Sequence, residues 1–395
     1  MKICGIICEF NPLHNGHEYL IKQAKSQGYT VICLMSGNFT QRGLPARVEK
    51  YDRAKAAIMA GASMVLELPF VYAVNGADEF SYGAIKILKA LGVDTLFFGS
   101  ECGDLKTLNK LAYLKVKESQ KFKDALKQNL KKGYSYSHAY SSAMSNITSS
   151  KTLISAASSP NDLLASSYIY QIKNQKANIT PIVIKRQDNG FFSFEPKNKF
   201  MSASSILSFE EQGLDFSQYL PEYSKKLIQS SPKFDKSIFH GLLTYKINNT
   251  NLTDLQKLFG VNEGLEYSLI NCFSGENVLK DPIDKLKSKR YRESRLQKLF
   301  LYTLVELKSK DYELIKKSSA AVKVLAVKRS EKQQLLSKFK NRKIKLLTTN
   351  RTYLELTRAQ SASVYFDLKA SDIYSICTKT PLNKDRSKGT LFLDM

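Results

Sequence analysis

Apolar runs and helical segments alternate through the first hundred residues of this 395-residue chain. The runs are apolar along their whole length rather than at every second residue, which is typical of strands buried on both faces. Strands of this kind, separated by amphipathic helices, predict an α/β fold with a parallel sheet covered by helices on both sides. In such a sheet the ligand crevice lies beyond the carboxyl ends of the strands.

The same pattern predicts individual elements up to about residue 210. We expect strands at residues 2–8, 30–36, 63–70, 93–100 and 177–186. We expect helices at residues 15–26, 49–61 and 77–92, a mainly helical segment over 105–175, and a helix within 201–212 with serines in capping position. Beyond residue 210 the strand signal fades. The chain is long enough for two cores, so we predict an α/β domain at residues 1–210 and a mainly α-helical basic domain at 211–395.

The charge balance points to a polyanionic partner. The chain has 60 Lys and Arg residues against 36 Asp and Glu residues, a net charge of +24. Solubility does not require so large a surplus, so nucleic acid is the first candidate partner. The alternative is a lysine-rich genome that places lysine on every solvated face. The basic residues are concentrated in two clusters, residues 284–300 and 322–351.

Nothing in the sequence predicts export or a membrane span. The N-terminal apolar run is short and is interrupted by Glu9, unlike a signal peptide. The next apolar run contains Glu67 and Pro69 and is too short for a bilayer. The cysteines form no CxxC pair, so we expect small buried thiols, no structural zinc site and a cytoplasmic location. These cysteines are Cys4, Cys8, Cys33, Cys102, Cys272 and Cys377.

Two of the four histidines, His14 and His17, lie where the first strand turns into the first helix. A helix N-terminus attracts phosphate through its unpaired amides and its dipole. Gly16 allows the backbone to approach a phosphate closely. Two imidazoles three residues apart can point at one phosphate group and stabilise the charge that develops when its phosphorus is attacked. The alternative is a pair of surface histidines in a loop.

The pattern His-x-Gly-His after a first strand resembles the signature of the nucleotidyltransferase superfamily, which includes the class I aminoacyl-tRNA synthetases. This resemblance implies a Rossmann-like sheet, ATP bound across the first strand-to-helix turn, and transfer of AMP with release of pyrophosphate. The second signature of the superfamily is a serine-rich turn that ends in an arginine. The segment "SASSIL" offers Ser202, Ser204 and Ser205, but Leu207 stands at the arginine position.

A wider set of motifs resembles the bacterial tRNA(Met) cytidine acetate ligase family over nearly the whole chain. The motifs are "EFNPLHNGH", "MSGNFTQRGLPA", "LELPFVYAV", "LFFGSECGD", "SPNDLLASSYIYQI", "TPIVIKR", "KRYRESRLQKLF", "VKVLAVKRSEKQQLL" and "LKASDIYSI". Members of that family form acetyl-adenylate from ATP and acetate. They then transfer the acetyl group to N4 of the wobble cytidine of elongator tRNA(Met).

The resemblance implies site residues for this chain. His14 and His17 are the implied catalytic residues, and Mg²⁺ is expected only as the companion of ATP. Asp162 replaces the second asparagine of the family's turn and would add negative charge near the nucleotide. The implied ATP-binding residues are Ile7, Cys8, Glu9, Phe10, Asn11, Pro12, Leu13, His14, Asn15, Gly16, His17, Glu18, Tyr19, Leu20, Gly99, Asn161, Asp162 and Arg186.

The basic helical part would bind the tRNA backbone, and no protein partner is indicated. The residues expected to do so are Lys289, Arg290, Arg295, Lys328, Arg329 and Arg342. Arg42, in the glycine-rich loop after the second strand, is expected either to cover the substrate or to lie in a plain surface loop.

Two other functions remain open at this stage. One is a small-molecule adenylyltransferase of coenzyme synthesis, which has the same histidine turn but seldom a large basic helical appendage. The other is a tRNA-binding protein with a decayed nucleotide site, which the departures at Asp162 and Leu207 allow.

Overall fold

A computed structural model describes residues 1–116, 120–134, 136–186, 200–262, 264–274, 282–288 and 291–394. Within these residues the strands are β1 (Lys2–Cys8), β2 (Tyr29–Ser36), β3 (Met64–Leu68), β4 (Thr95–Ser100), β5 (Thr180–Lys185), β6 (Ala321–Lys328), β7 (Lys345–Leu347) and β8 (Leu391–Leu393).

The helices of the first half are α1 (Asn15–Ser26), α2 (Lys50–Met59), α3 (Phe70–Ala73), α4 (Ala77–Leu91), α5 (Leu105–Val116), α6 (Gln120–Lys131), α7 (Tyr136–Met144), α8 (Lys151–Ser158), α9 (Pro160–Asn174) and α10 (Ala203–Glu211). Those of the second half are α11 (Glu222–Ser230), α12 (Lys236–Asn248), α13 (Leu252–Gln256), α14 (Leu265–Cys272), α15 (Pro282–Leu286), α16 (Glu293–Val305), α17 (Ser309–Lys317), α18 (Lys332–Phe339), α19 (Arg358–Cys377) and α20 (Lys384–Ser387).

The described strands form one sheet in the order β5-β4-β1-β2-β3-β6-β7, and β8 pairs with β6. Strands β1 to β5 run parallel to one another. The order of the chain reverses at β1, which lies between β2 and β4. In a parallel sheet such a switch point opens a crevice between the carboxyl ends of the two flanking connections. The predicted α/β fold with a parallel sheet is confirmed, and this topology locates its ligand crevice.

Successive residues of the parallel strands face opposite sides of the sheet and pack into two separate cores. One core, under α1 and α2, includes Cys4, Ile6, Cys33, Ile21 and Ala54. The other core, under α4, α5 and α9, includes Ile3, Leu34, Phe98, Leu88, Leu108 and Tyr168. Burial on both faces explains why these strands are apolar throughout. All six cysteines are free, and only Cys102 is half-exposed rather than buried.

The segment after residue 210 is mainly helical, but it also supplies strands, which corrects the expectation that the strand signal ends there. β6 runs antiparallel to β3, with Val327 opposite Met64, while β7 and β8 pair with β6 in parallel. The sequence hides β6 because its lysines resemble those of a solvated helix. The sheet thus extends across the predicted domain boundary at residue 210, and the boundary itself stays a prediction.

A buried charge network fixes the C-terminal helix α20 to this sheet. Lys50, at the start of α2, is fully buried, and its Nζ lies 2.8 Å from both carboxylate oxygens of Glu67 on β3. The same ammonium group binds Asp385 of α20. Asp385 Oδ1 also lies 3.5 Å from Nζ of Lys323 on β6. Each buried charge therefore has an opposite partner, without which burial would be strongly unfavourable.

Candidate active site

A cleft of about 1350 Å³ opens at the carboxyl ends of β1, β4 and β5. Its lining includes the β1–α1 turn, the loop after β2, the start of α9 and the first turn of α10. It also includes residues around the starts of α7 and α16. The cleft therefore lies at the switch point that the topology indicates, and residues from both halves of the chain line it.

The β1–α1 turn is held together by its two histidines. His14 caps α1, and its carbonyl oxygen accepts the amides of His17 and Glu18 at 2.9 and 3.1 Å. Its ring Nδ1 accepts the amide of Gly16 at 3.1 Å. The ring Nδ1 of His17 accepts the amide of His14 at 3.4 Å. Four amides of this turn are thus engaged within it, and both histidines line the cleft.

These contacts define which nitrogen of each ring donates. Since each Nδ1 accepts a hydrogen bond, the proton of the neutral imidazole is assigned to Nε2. Burial, and then nearby His17 and Arg186, lower the pKa of His14 well below its usual value. The two rings stack with centroids 3.7 Å apart. The pair therefore presents two N–H donors without carrying two positive charges, an arrangement suited to stabilising an anionic phosphate in a transition state.

Two glycines allow side chains to pass closely at the cleft. A Cβ atom on Gly16 would lie 3.0 Å from Cε1 of His14, so glycine permits the ring of His14 to fold over the first turn of α1. A Cβ atom on Gly99 would lie 3.3 Å from Cγ of Arg186, whose side chain crosses β4 at this point. The amide of Arg186 donates to the carbonyl of Ser100 at 2.9 Å. The end of β5 thus brings a guanidinium group to the same cleft as the histidines.

Asn161 and Asp162, at the start of α9, have different roles. Asn161 lines the cleft, and its Nδ2 donates to Glu101 Oε1 at 2.5 Å. Asp162 is buried and does not line the cleft; it accepts the Ser100 hydroxyl at 2.5 Å and the amides of Glu101 and Cys102 at 2.9 and 3.1 Å. Burial raises the pKa of Asp162. Its carboxylate therefore holds the end of β4, and the expected negative charge beside the nucleotide is not presented to the cleft.

The predicted ATP-binding residues fall into two groups, those that line the cleft and those that do not. Ile7, Cys8, Glu9, Phe10, Asn11, His14, Gly16, His17, Tyr19, Leu20, Gly99, Asn161 and Arg186 line the cleft. Pro12, Leu13, Asn15, Glu18 and Asp162 do not. Leu13 is in the core, Asn15 donates to the carbonyl of Gln218, and Glu18 accepts the hydroxyl of Tyr223. Most of the segment thus lines the cleft, while some of its side chains fix the segment rather than face the cleft, and its binding of ATP stays a prediction.

The serine-rich turn behaves as a helix cap that borders the cleft. Ser202 Oγ accepts the amide of Ser205 at 3.2 Å, as an N-cap does. Ser202, Ser204 and Leu207 line the cleft, whereas Ser205 is buried outside the lining. The position where the superfamily has an arginine is therefore open to the ligand.

Comparison with known proteins agrees with this geometry. The profile of the HIGH Nucleotidyl Transferase family matches residues 1–389. The tRNA(Met) cytidine acetate ligase of Caldanaerobacter subterraneus subsp. tengcongensis is 34% identical over 392 residues, 96% of each chain. The ligase of the same name from Oceanobacillus iheyensis is 34% identical over 362 residues, 88% of this chain and 90% of the relative. The chain belongs to the tRNA(Met) cytidine acetate ligase family.

Solved structures of this family have the same fold. Apo TmcAL of Thermotoga maritima (form I) is 26% identical, with a TM-score of 0.84 and full coverage of both chains. TmcAL of the same organism bound with alpha-thio ATP is 28% identical, with a TM-score of 0.82 and full coverage of both chains. Relatives of this one family match nearly the whole length of the chain, which favours it over the small-molecule adenylyltransferases.

The cleft is also lined by residues that the sequence does not assign to the site. Lys287, Arg292 and Lys298 line it, as do Tyr134 and Tyr136. The loop after β2 packs directly on α16, since a Cβ atom on Gly43 would lie 2.7 Å from the amide nitrogen of Lys298. Gly43 also has a φ of +82°, which favours glycine. The signals that could have indicated these residues are the basic cluster at 284–300 and the tyrosine-rich segment "GYSYSHAY".

The predicted tRNA-binding residues fall at two separate places. Arg295, on the first turn of α16, donates to Asn262 Oδ1 at 2.7 Å near the cleft. Lys328 ends β6 and Arg329 follows it, and this end of β6 lies beside the start of β3, at the edge of the sheet opposite to the cleft. Arg342 packs against Gly92 at the same edge, where α4 leads into β4. Lys289 and Arg290 lie outside the described residues.

The described part of the chain offers neither a cluster of metal ligands nor a membrane-spanning helix. Its His, Cys, Asp and Glu residues form no group of three or more that is arranged to hold a metal ion. None of the helices described there is both long and apolar enough to cross a membrane.

Proposed function

We propose that the protein is an ATP-dependent ligase that acetylates N4 of the wobble cytidine of elongator tRNA(Met) through an acetyl-adenylate. The stacked pair of His14 and His17 at the start of α1, in a cleft at the switch point of the sheet, carries this proposal. The names of the relatives and the alpha-thio ATP bound to the Thermotoga maritima protein support it.

In the first step, an oxygen of acetate attacks the α-phosphorus of ATP. A new bond forms between that oxygen and phosphorus, the bond to the bridging oxygen breaks, and pyrophosphate leaves. The Nε2–H groups of His14 and His17 donate to the phosphate oxygens as their charge rises. Arg186 adds a fixed positive charge near the same turn, and Mg²⁺ accompanies the triphosphate.

In the second step, the exocyclic amine of cytidine attacks the carbonyl carbon of acetyl-adenylate. The bond between that carbon and the phosphate oxygen breaks, AMP leaves, and the amine loses a proton to solvent. A cytidine amine is accessible only when the base is unstacked, as it is in an anticodon loop. The surplus of positive charge on the chain suits a tRNA backbone, and we place the reaction in the cytoplasm.

The test uses two measurements. Purified protein should catalyse ATP–pyrophosphate exchange only when acetate is present. Total tRNA from a strain that lacks the gene should lose N4-acetylcytidine, which the wild-type gene restores and the His17→Ala gene does not. Exchange without dependence on acetate, or an unchanged N4-acetylcytidine level in the deletion strain, would overturn the proposal.

A further inference from the structure

One part of the cleft lining combines exposed tyrosines with cations, and we call it the Tyr–Arg wall: Tyr134, Tyr136, Lys287, Arg292 and Lys298. All five residues line the same cleft as the two histidines. The Nη2 of Arg292 donates to the carbonyl oxygen of Tyr134 at 2.6 Å, which joins the segment before α7 to the segment before α16. Residues more than 150 positions apart in the sequence thus form one surface.

Both tyrosines of this wall are partly exposed to solvent. Tyr134 is 38% exposed and Tyr136 is 45% exposed. Each ring has an aromatic neighbour on its own segment: His138 is 4.4 Å from Tyr134, and Tyr140 is 5.7 Å from Tyr136, centroid to centroid. Aromatic rings that are supported on one side and accessible on the other are the usual platforms on which unpaired bases stack.

The charge of the wall is positive. Burial, and then the nearby cations Arg295 and Arg42, lower the pKa of Lys298. An acid of this region, Glu293, lies 3.7 Å from Lys287 and accepts a hydrogen bond from Gln297. Bringing Lys298, Arg295 and Arg42 together is unfavourable in itself, because like charges at short range repel. An anionic ligand between them would offset that repulsion.

The size of the cleft leaves room for more than a nucleotide. Sites for small molecules and cofactors typically enclose roughly 300–1,000 Å³, whereas this cleft encloses about 1350 Å³. The histidine turn and the Tyr–Arg wall are parts of one continuous cavity. A base held at the wall and an acyl group held at the histidines would therefore lie in the same cleft.

We propose that the Tyr–Arg wall is the acceptor subsite, where the unstacked cytidine and its flanking phosphates bind. Tyr134 and Tyr136 stack on bases of the loop, while Arg292, Lys287 and Lys298 bind the phosphates. This inference rests on the proposed function and adds where on the protein the RNA substrate enters the cleft. Stacking alone does not distinguish cytidine from uridine. Cytidine is selected because only its exocyclic amine can react with the acyl group.

The aromatic part of the proposal is tested with the double variants Tyr134→Ala/Tyr136→Ala and Tyr134→Phe/Tyr136→Phe. The control is Tyr245→Ala, since Tyr245 is 71% exposed on α12 and does not line the cleft. We expect the alanine variant to lower single-turnover acetyl transfer to tRNA by about tenfold to a hundredfold, the effect of losing one stacked base. The control should transfer at the wild-type rate, and the phenylalanine variant, which keeps both aromatic rings, should lose much less transfer activity than the alanine variant. Transfer at the wild-type rate by the alanine variant would overturn the proposal.

The cationic part is tested by direct binding of an anticodon stem-loop RNA, without any chemistry. Arg292→Gln/Lys298→Gln should lower the slope of log K against log salt by roughly 0.7 for each phosphate that the protein no longer neutralises. The control Lys121→Gln/Lys123→Gln removes the same charge from the exposed face of α6 and should leave the slope unchanged. Equal slopes for the two variants would contradict the subsite.

Acetate-dependent pyrophosphate exchange, measured beside acetyl transfer, separates this inference from the proposed function. If the wild-type protein lacks acetate-dependent pyrophosphate exchange, the proposed function fails whatever the RNA does. If exchange is intact in the tyrosine variants and transfer is not reduced, only the acceptor subsite fails.

Discussion

The imidazole rings of His14 and His17 stack with centroids 3.7 Å apart and planes inclined by 28°. Two charged imidazolium rings at this distance would repel each other, so the pair is stable only while at least one ring is neutral. Burial and the neighbouring cations keep His14 in its neutral form by lowering its pKa. The arrangement therefore supplies hydrogen-bond donors at neutral pH without a proton that has to be gained first.

We expect His17→Ala to lower the rate of acetyl-adenylate formation by roughly a hundredfold or more, the usual effect of removing a donor to a developing oxyanion. The melting temperature should change little, because the ring of His17 is only partly buried. Acetate-dependent pyrophosphate exchange measures the rate. His240→Ala, on α12, is the control, since that histidine does not line the cleft. Normal exchange in the His17 variant would refute its role.

The lowered pKa of His14 predicts a specific loss of stability in acid. In the unfolded chain a histidine titrates near pH 6.5, whereas in the folded protein protonation of His14 needs a lower pH. Below about pH 6.5 the unfolded state therefore binds the extra proton, and the free energy of unfolding falls as pH falls, by at most about 1.4 kcal/mol per pH unit. Above that pH the contribution is complete.

The variant His14→Asn isolates this effect, since asparagine also caps a helix but does not titrate near neutral pH. Urea unfolding of both proteins at pH 7.5, 6.0 and 5.0 gives the comparison. The stability of the wild type relative to the variant should decrease at the two lower pH values. A constant difference across the three would contradict the pKa shift of His14.

The sequence was sufficient for the first five strands, because each is a continuous apolar run between turns. It was not sufficient for β6, which contains Lys323 in its buried centre. Lys323 can be buried because Asp385, 62 residues later in the chain, forms an ion pair with it in the fold. No local pattern reveals such a partner, so the strand resembled part of a basic helix.

The candidate site likewise combines features that the sequence predicts with features that it does not. The spacing of His14, Gly16 and His17 is local and could be predicted from the sequence. The orientation of Asp162 depends on where the end of β4 lies, and Lys298 reaches the cleft only because the loop at Gly43 packs on α16. Contacts between distant segments decide both, which is why the sequence assigned Asp162 to the nucleotide and left Lys298 unassigned.

Leu207→Arg should be tolerated and should tighten ATP binding. Leu207 lines the cleft and is only partly buried, so a longer side chain can extend toward the ligand. A charge-assisted bond to a phosphate should contribute about 1 kcal/mol or more, or at least about fivefold in Kd. Calorimetric titration with ATP measures the change, and Leu207→Met is the control of similar length without charge. Weaker binding by the arginine variant would show that this turn does not face the phosphates.

Lys50→Met should destabilise the fold by about 3–5 kcal/mol, because it leaves the buried carboxylate of Glu67 without its partner and leaves Asp385 with Lys323 alone. Lys55→Met, at an exposed position of the same helix, should change the free energy of unfolding little. Adding Glu67→Gln to Lys50→Met should recover part of the loss, since it removes the buried charge that Lys50 had paired. Urea unfolding decides between these outcomes, and a stable Lys50→Met protein would mean that the network contributes nothing to folding.

The last prediction concerns the cations at the edge of the sheet opposite to the cleft. The sequence predicts that they bind tRNA, but they lie away from the cleft in which we place the reacting base. Lys328, Arg329 and Arg342 lie at the opposite edge of the sheet, so we expect them to contact RNA outside the loop that we propose enters the cleft. Arg329 has an exposed ion-pair partner, Asp394, at 2.9 Å, a contact weak enough to be exchanged for a phosphate. The triple glutamine variant should therefore raise the KM for tRNA and flatten its salt dependence, by roughly 0.7 in slope per phosphate. Its kcat for transfer and its pyrophosphate exchange should remain those of the wild type. The matched control Lys121→Gln/Lys123→Gln/Lys127→Gln removes the same charge from α6 and should leave KM unchanged. If the triple variant and the control have the same KM for tRNA, the tRNA does not reach this edge, and the Tyr–Arg wall with Arg295 binds it. A lower kcat of the triple variant would mean instead that the three charges support the fold of the site.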